Sequence, residues 1–296
     1  MSKLSVELTK VCNELGGATL TKKARDFTVK QIFKTLRDNE IRVVCLADLK
    51  IRHVEKYIEL AQAEHLAKTG EPLSKRTLQN RISLLRKSLR ALKRDKFADH
   101  ERMTSKALGI DGASRAGSHV AMTAEQFAEV SARVYASGKP GHIAVFDLQR
   151  TLGLRANEAV NAGKSLKTWS KQLERDISRL SVVHGTKGGR LRESTPLEGI
   201  NEAVKAALAA ADPVTGYIIQ SSSPEAANRS YARFCHAMGM KGEISSHSLR
   251  YTYAQTLKAQ ALTNGFEEKE ALALVSMELG HGDGRGTYIK QVYAQK

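Results

Sequence analysis

Apolar residues recur at steps of four and three through "RTLQNRISLLRKSLRALKRDK": Leu78, Ile82, Leu85, Leu89 and Leu92. On a helix that spacing makes one apolar stripe, and Ser74 stands where a cap would begin it. Weaker stripes predict helices over 26–38 (Phe27, Ile32, Phe33, Leu36) and 52–68 (Val54, Tyr57, Ile58, Ala61), the second stopped by Gly70 and Pro72. An all-helical module of about 100 residues follows from these patterns. The period then fades. Residues 103–121, "MTSKALGIDGASRAGSHVA", are rich in Gly, Ser and Ala and read as a linker. Thr123 ahead of "AEQFAEV" has the form of a helix cap with Gln126 at its third position.

Beyond that point the pattern is mixed. "RLSVVHGTKGGRLRESTPL" holds two short β-prone runs around a Thr-Lys-Gly-Gly turn, which predicts a hairpin. "NEAVKAALAAA" predicts a helix ended by Asp212-Pro213, and further helical patterns cover 225–238 and 247–262. "EEKEALALVSMELG" is a helix with acidic residues in its first turn and Gly280 at its end, and "TYIKQVYAQK" closes the chain as another. The expected fold is mainly α with a small β-sheet. A helical domain spans 1–102, a linker 103–121, and a mixed α/β domain 122–296.

Charge sharpens this outline. The 296 residues hold 47 Lys+Arg and 31 Asp+Glu, a net +16. Residues 1–110 have 24 basic and 13 acidic groups, a difference of +11, and the remainder 23 and 18, a difference of +5. A polyanionic partner is the natural expectation, because basic side chains bound to phosphates release counterions. Arg76, Arg81, Lys87, Arg90 and Arg94 crowd the polar side of the strongest stripe. Such a run is usually a solvated face. Here like charges four apart repel, and a DNA backbone would relieve them, so these five are the expected DNA contacts. No apolar run reaches the length of a membrane span and no apolar signal core opens the chain, which places the protein in the cytoplasm without membrane contact. Cys12, Cys45 and Cys235 are widely spaced and read as buried free thiols rather than a disulfide or zinc framework.

The candidate chemistry is scattered. Arg155 follows an apolar run, where an arginine ordinarily pairs with a surface acid. Lys187 lies in the hairpin turn. His247 and Arg250, three apart, share one face of a helix. His281 follows a helix end, where its imidazolium could simply favour the dipole. Tyr288 and Tyr293 come late, where aromatics commonly pack. Taken singly, each has a bland explanation.

Their order has a less bland one. "LGLRANEAV", "TKGG", "HSLRYTYAQTL" and "LGHGDG", spread over 151–293, together resemble the catalytic domain of the tyrosine recombinase (phage integrase) family. The matching pieces are its Leu-Arg-x-x-Glu box, hairpin lysine, His-x-Leu-Arg box and Leu-Gly-His box. The basic helical module ahead of them resembles, more loosely, the family's SAM-like core-binding domain. The resemblance implies a site-specific DNA recombinase acting through a 3′-phosphotyrosyl link, with no metal, cofactor or ATP. It implies that Arg155, Arg250 and His247 hold the scissile phosphate, Lys187 protonates the departing 5′-oxygen, and His281 positions phosphate or nucleophile. Glu158 would orient its neighbours. Paired guanidinium donors suit this role because they stay charged and bind phosphate oxygens in a fork.

The nucleophile is open between two tyrosines. The family usually places it about nine residues after the Leu-Gly-His histidine, whereas Tyr288 comes seven after His281 and Tyr293 twelve. Glycines in "GHGDGRG" suggest a lengthened loop, and Val292 supplies the aliphatic neighbour common before the nucleophile, so Tyr293 is preferred. The implied partner is double-stranded DNA bearing attachment-type sites, bound by a homotetramer with protomers in pairs, as in phages and mobile genetic elements. Little chain follows Tyr293 for a long swap between subunits. Alternatives are a DNA-binding protein that keeps the fold without cutting, a type IB topoisomerase-like enzyme, and a basic RNA-binding protein.

Overall fold

The protein is described from a computed structural model. The structure describes residues 2–293 apart from 18, 114–119, 187, 188, 190, 283 and 285, and the side chain of Leu20. The chain divides into two compact units, Met1–Ser114 and Arg115–Lys296. No described helix is long and apolar enough to cross a membrane.

Among its described residues the first unit has helices joined by turns and no strand. Helices α1 (Lys3–Leu15), α2 (Thr19–Asp38), α3 (Ile51–Thr69), α4 (Lys75–Ala91) and the single turn α5 (Asp95–Ala98) surround one core. The caps are local chemistry. Ser2 and Ser74 accept the N–H groups of Ser5 and Thr77. Gly70 ends α3 in the left-handed region at φ 78°, its N–H returning to the Leu66 carbonyl at 2.8 Å. The predicted stripe on α4 is the inward face: Leu78, Ile82, Leu85 and Leu89 are buried. Leu92 caps this helix instead of extending it.

The stretch read as a linker is not one along its first half. Met103, Leu108 and Ile110 are buried in the first core. The Ile110 carbonyl accepts from Gln79 Nε2 at 2.7 Å, and that of Ala113 from Arg76 at 3.1 Å. Three apolar residues at irregular spacing inside a Gly- and Ser-rich stretch carry no period, so their packing left no pattern to read. Residues 120–122 belong with the second unit: the Val120 N–H reaches the Glu243 carbonyl and Met122 is buried.

In the second unit α6 (Ala124–Ala136) starts with the expected reciprocal cap between Thr123 and Gln126. Helix α7 (Pro140–Leu152) is buried on nearly every side, through Ala144, Val145, Phe146, Leu148, Gln149, Thr151 and Leu152. A helix enclosed this way shows no polar stripe, which is why its sequence registers only as an apolar run. Short helices α8 (Ala156–Val160) and α9 (Leu166–Leu173) follow. Strands β1 (Leu180–Val182) and β2 (Arg192–Ser194) pair antiparallel with Leu180 opposite Ser194 and Val182 opposite Arg192. They form the predicted hairpin. Then come α10 (Ile200–Ala210), α11 (Pro224–Ala237), α12 (Ser246–Thr263), α13 (Glu268–Glu278) and α14 (Gly286–Val292). Helices α10 and α12 pack on α7, and α13 joins α12 to α14. Cys45 and Cys235 are buried free thiols as expected, while Cys12 is partly exposed.

Candidate active site

Gly153 places the first arginine. It ends α7 at φ 57°, and the Tyr253 ring lies where a β-carbon would stand, 2.3 Å from Cδ1. The chain turns there and delivers Arg155 to the N-cap of α8. Glu158, three residues on, reaches back: its Oε2 accepts the Arg155 N–H at 2.8 Å and its Oε1 accepts Arg155 Nη1 at 2.7 Å.

Glu158 is the hub of a cluster of guanidiniums. Its side chain is fully buried, yet three arginines face it. Arg192 Nη2 donates to Oε2 at 2.8 Å, and Arg250 Nη1 stands 3.9 Å from the same oxygen. Burial alone would raise the carboxyl's pKa. The Arg192 and Arg250 charges and the Arg155 N–H overcome it and hold Glu158 below the ordinary glutamate value.

Arg250, on the inward face of α12, is completely buried. Its Nη1 donates to the Gly153 carbonyl and its Nη2 to that of Leu279. The Leu279 carbonyl also receives Arg155 Nη2 at 3.4 Å. Burial and the Arg192 and Arg155 charges pull the Arg250 guanidinium down to about 10, against Tyr293 and Glu158, so it stays charged at neutral pH. Its Nε has no hydrogen-bond partner among the described residues.

His247 sits one turn earlier on α12, its ring edge-on to Tyr251 at 5.3 Å. Buried Gln149 on α7 steadies that helix start by donating to the Ser246 carbonyl at 2.9 Å while accepting from the Tyr231 hydroxyl. His281 follows α13 and Gly280, and its Nε2 is 3.2 Å from the Tyr293 hydroxyl oxygen. Tyr293, 4% exposed, packs on Tyr251 at 4.5 Å and lies 6.1 Å, ring to ring, from His247. Tyr288 also faces His281, at 5.1 Å, but is 36% exposed. Burial, with Tyr293 and Tyr288 nearby, pushes the Tyr251 hydroxyl up to about 12.

Arg155, Arg250, His247, His281 and Tyr293 therefore occur in one connected neighbourhood. Lys187 lies outside the described residues. Sequence reasoning missed Arg192 and Glu278. Fully buried Glu278 accepts the Thr195 N–H and hydroxyl and Arg179 Nη2, tying β2 to α13. The sequence carries no signal for Arg192: apolar Leu191 would be expected inward, yet it is 72% exposed and Arg192 is buried.

The arrangement invites comparison with known proteins. A family profile described as integrase matches residues 109–256, half the chain, and one described as phage integrase, N-terminal, matches 1–98. The chain belongs to the phage integrase family of tyrosine recombinases. Solved integrases share its fold. The Tn1549 transposon integrase in complex with circular intermediate DNA superposes with a TM-score of 0.60 at 12% identity, covering 99% of this chain and 95% of that one. Lambda integrase bound to DNA gives 0.55 at 16%, covering 94% and 91%. A lambda integrase tetramer on a Holliday junction gives 0.57 at 16%, covering 94% and 77%. No curated protein matches the sequence significantly.

In this integrase the five basic residues expected on DNA differ in what they already hold. Arg81 donates to the Tyr57 hydroxyl at 2.9 Å. Arg90 pairs with Asp99, and Arg94 donates to the Leu46 and Leu49 carbonyls. Part of the repulsion along α4 is thus relieved inside the unit. Arg76 donates to Gln79 and the Ala113 carbonyl yet stays exposed, and Lys87 is exposed as well.

Proposed function

We propose that the chain is a site-specific recombinase that cuts and rejoins DNA through a 3′-phosphotyrosyl intermediate at Tyr293, without metal or ATP. The observation that carries this reading is the Tyr293 hydroxyl, 3.2 Å from His281 Nε2 beside a buried, charged Arg250. A phenol needs a proton acceptor to attack phosphorus, and His281 is within reach. Tyr251 lacks that role, since its proton is held to about 12.

In the forward step the Tyr293 oxygen bonds to phosphorus, its proton passes to His281, and the bond to the 5′-oxygen breaks. Lys187 protonates that oxygen. Arg155, Arg250 and His247 hold the non-bridging oxygens as negative charge grows there, and loss of one such donor typically slows a reaction about 100–1000-fold. Attack by a 5′-hydroxyl from a second strand reverses the step and restores the tyrosine. Arg76 and Lys87 supply backbone contacts from the first unit, and Arg81, Arg90 and Arg94 add to its positive charge. The substrate is double-stranded DNA at attachment-type sites. A tetramer assembles there, by extension from the lambda protein.

The test is a pool of nicked duplexes with a randomised core, from which covalent adducts are recovered by phenol partition. Adduct from the wild type and Tyr288→Phe, but not from Tyr293→Phe, is the expected result. Adduct from Tyr293→Phe but not Tyr288→Phe moves the nucleophile. Tight DNA binding with no adduct from any form leaves a binding protein on a recombinase fold.

A further inference from the structure

Arg192 is the guanidinium that the phosphate reading does not use. It is 8% exposed, on the inward side of β2. Its fork grips two different elements. Nη2 donates to Glu158 Oε2 at 2.8 Å, and Nη1 donates to the Glu278 carbonyl at 2.6 Å. The next carbonyl, Leu279, is the one that Arg155 and Arg250 share. The stem of Arg192 runs against Gly280, where a β-carbon would stand 2.8 Å from its Cδ. His281 follows directly.

We infer that Arg192 is a positioning residue for strand cleavage: it joins the hairpin strand to the Arg155–Glu158 turn and to the Leu279–His281 turn, fixing both phosphate-holding arginines and the histidine beside Tyr293. This inference rests on the recombinase reading. Its physical basis is the division of Glu158. Two oxygens serve three guanidiniums, and Arg192 occupies Oε2 while Arg250 remains 3.9 Å away. Without Arg192, Oε2 becomes a full counter-charge for Arg250 and draws that guanidinium from phosphate to carboxylate. The Glu278 carbonyl loses its donor as well, loosening the turn that leads to His281. Lysine keeps the charge but has no planar fork to span acceptors on two elements. Misplacement of a reacting group by about 1 Å can slow a reaction roughly 100-fold.

The experiment compares wild type, Arg192→Lys and Arg192→Gln on the duplex recovered from the randomised pool, and on the same duplex with a methylphosphonate at the scissile position. DNA affinity and melting temperature are measured beside single-turnover adduct formation. The expected result is a roughly 10–100-fold slower cleavage of the phosphate by Arg192→Lys, at unchanged affinity. That loss shrinks several-fold on the methylphosphonate, whose missing charge reduces dependence on the arginines. Arg192→Gln behaves likewise, with a larger loss. An equal loss on both substrates shows a generally weakened fold and overturns the inference, as does no loss on either. Absence of adduct from the wild type on both substrates overturns the recombinase reading itself, and any role of Arg192 in cleavage falls with it.

Discussion

Glu158 is a single buried carboxylate set against Arg155, Arg192 and Arg250, and this imbalance has a measurable consequence. Removing one partner of a buried ion pair is destabilising by about 3–5 kcal/mol, because the other charge stays buried without compensation. Glu158→Gln leaves the buried Arg192 and Arg250 in that state, so a loss of this size is expected in chemical denaturation. The acid limb of stability should change too. The carboxyl titrates below its ordinary value of 4.5 in the folded protein. The unfolded chain therefore takes up the proton first as pH falls. The stability Glu158 contributes is present above that ordinary value and disappears as pH falls through the folded one. Melting curves of wild type and Glu158→Gln should lie far apart at pH 7 and converge as pH drops toward the folded value. Curves that stay parallel over that range contradict the charge assignment.

The α7–α8 junction shows how an element can depend on one residue without a side chain. Gly153 combines a left-handed backbone with a Tyr253 ring in the space a methyl group would take. The same ring holds its hydroxyl against the Thr195 carbonyl at 2.8 Å and Ser194 Oγ at 3.1 Å, so it cannot swing away without releasing β2. Gly153→Ala should therefore destabilise the second unit by roughly 2–4 kcal/mol, since overpacking and the left-handed conformation act together. Cleavage should fall with it, because Arg155 stands two residues on. Thermal melting checks the first and the adduct assay the second; an unshifted melting temperature refutes the packing argument. Elements with one apolar face were legible in the sequence, α4 above all, as was the antiparallel pairing of the two β-prone runs. The largely enclosed α7 was not, since burial on nearly every side erases most of the polar half of the pattern. Arg192 and Glu278 escaped for a related reason. Their roles come from meeting across the fold, between β2 and α13, and local spacing carries no trace of such a partnership.

At the scale of the whole chain, the uneven charge predicts different shares of DNA binding for the two units. Residues 1–110 carry +11 and the rest +5. Each phosphate contact releases a counterion, and the logarithm of the binding constant falls with the logarithm of salt at about −0.9 per contact. Most of the full chain's salt slope should therefore appear in a fragment of residues 1–113, which contains the first core together with Met103, Leu108 and Ile110. A fragment cut at residue 102 discards all three of those buried side chains and should melt at lower temperature. Residues 120–296 hold Arg155, Arg250, His281 and Tyr293, and should form adduct with a shallower slope and weaker affinity. Within the first unit, Lys87→Ala removes an exposed cation and should reduce the slope by about 1 with melting unchanged. Arg94→Ala should act chiefly on melting, since that guanidinium serves the Leu46 and Leu49 carbonyls. Binding isotherms over a salt series for the full chain, the fragments 1–113 and 120–296, and Lys87→Ala decide the matter. A steeper slope in residues 120–296 than in 1–113 would place the electrostatic grip in the catalytic unit and remove α4 from the DNA interface.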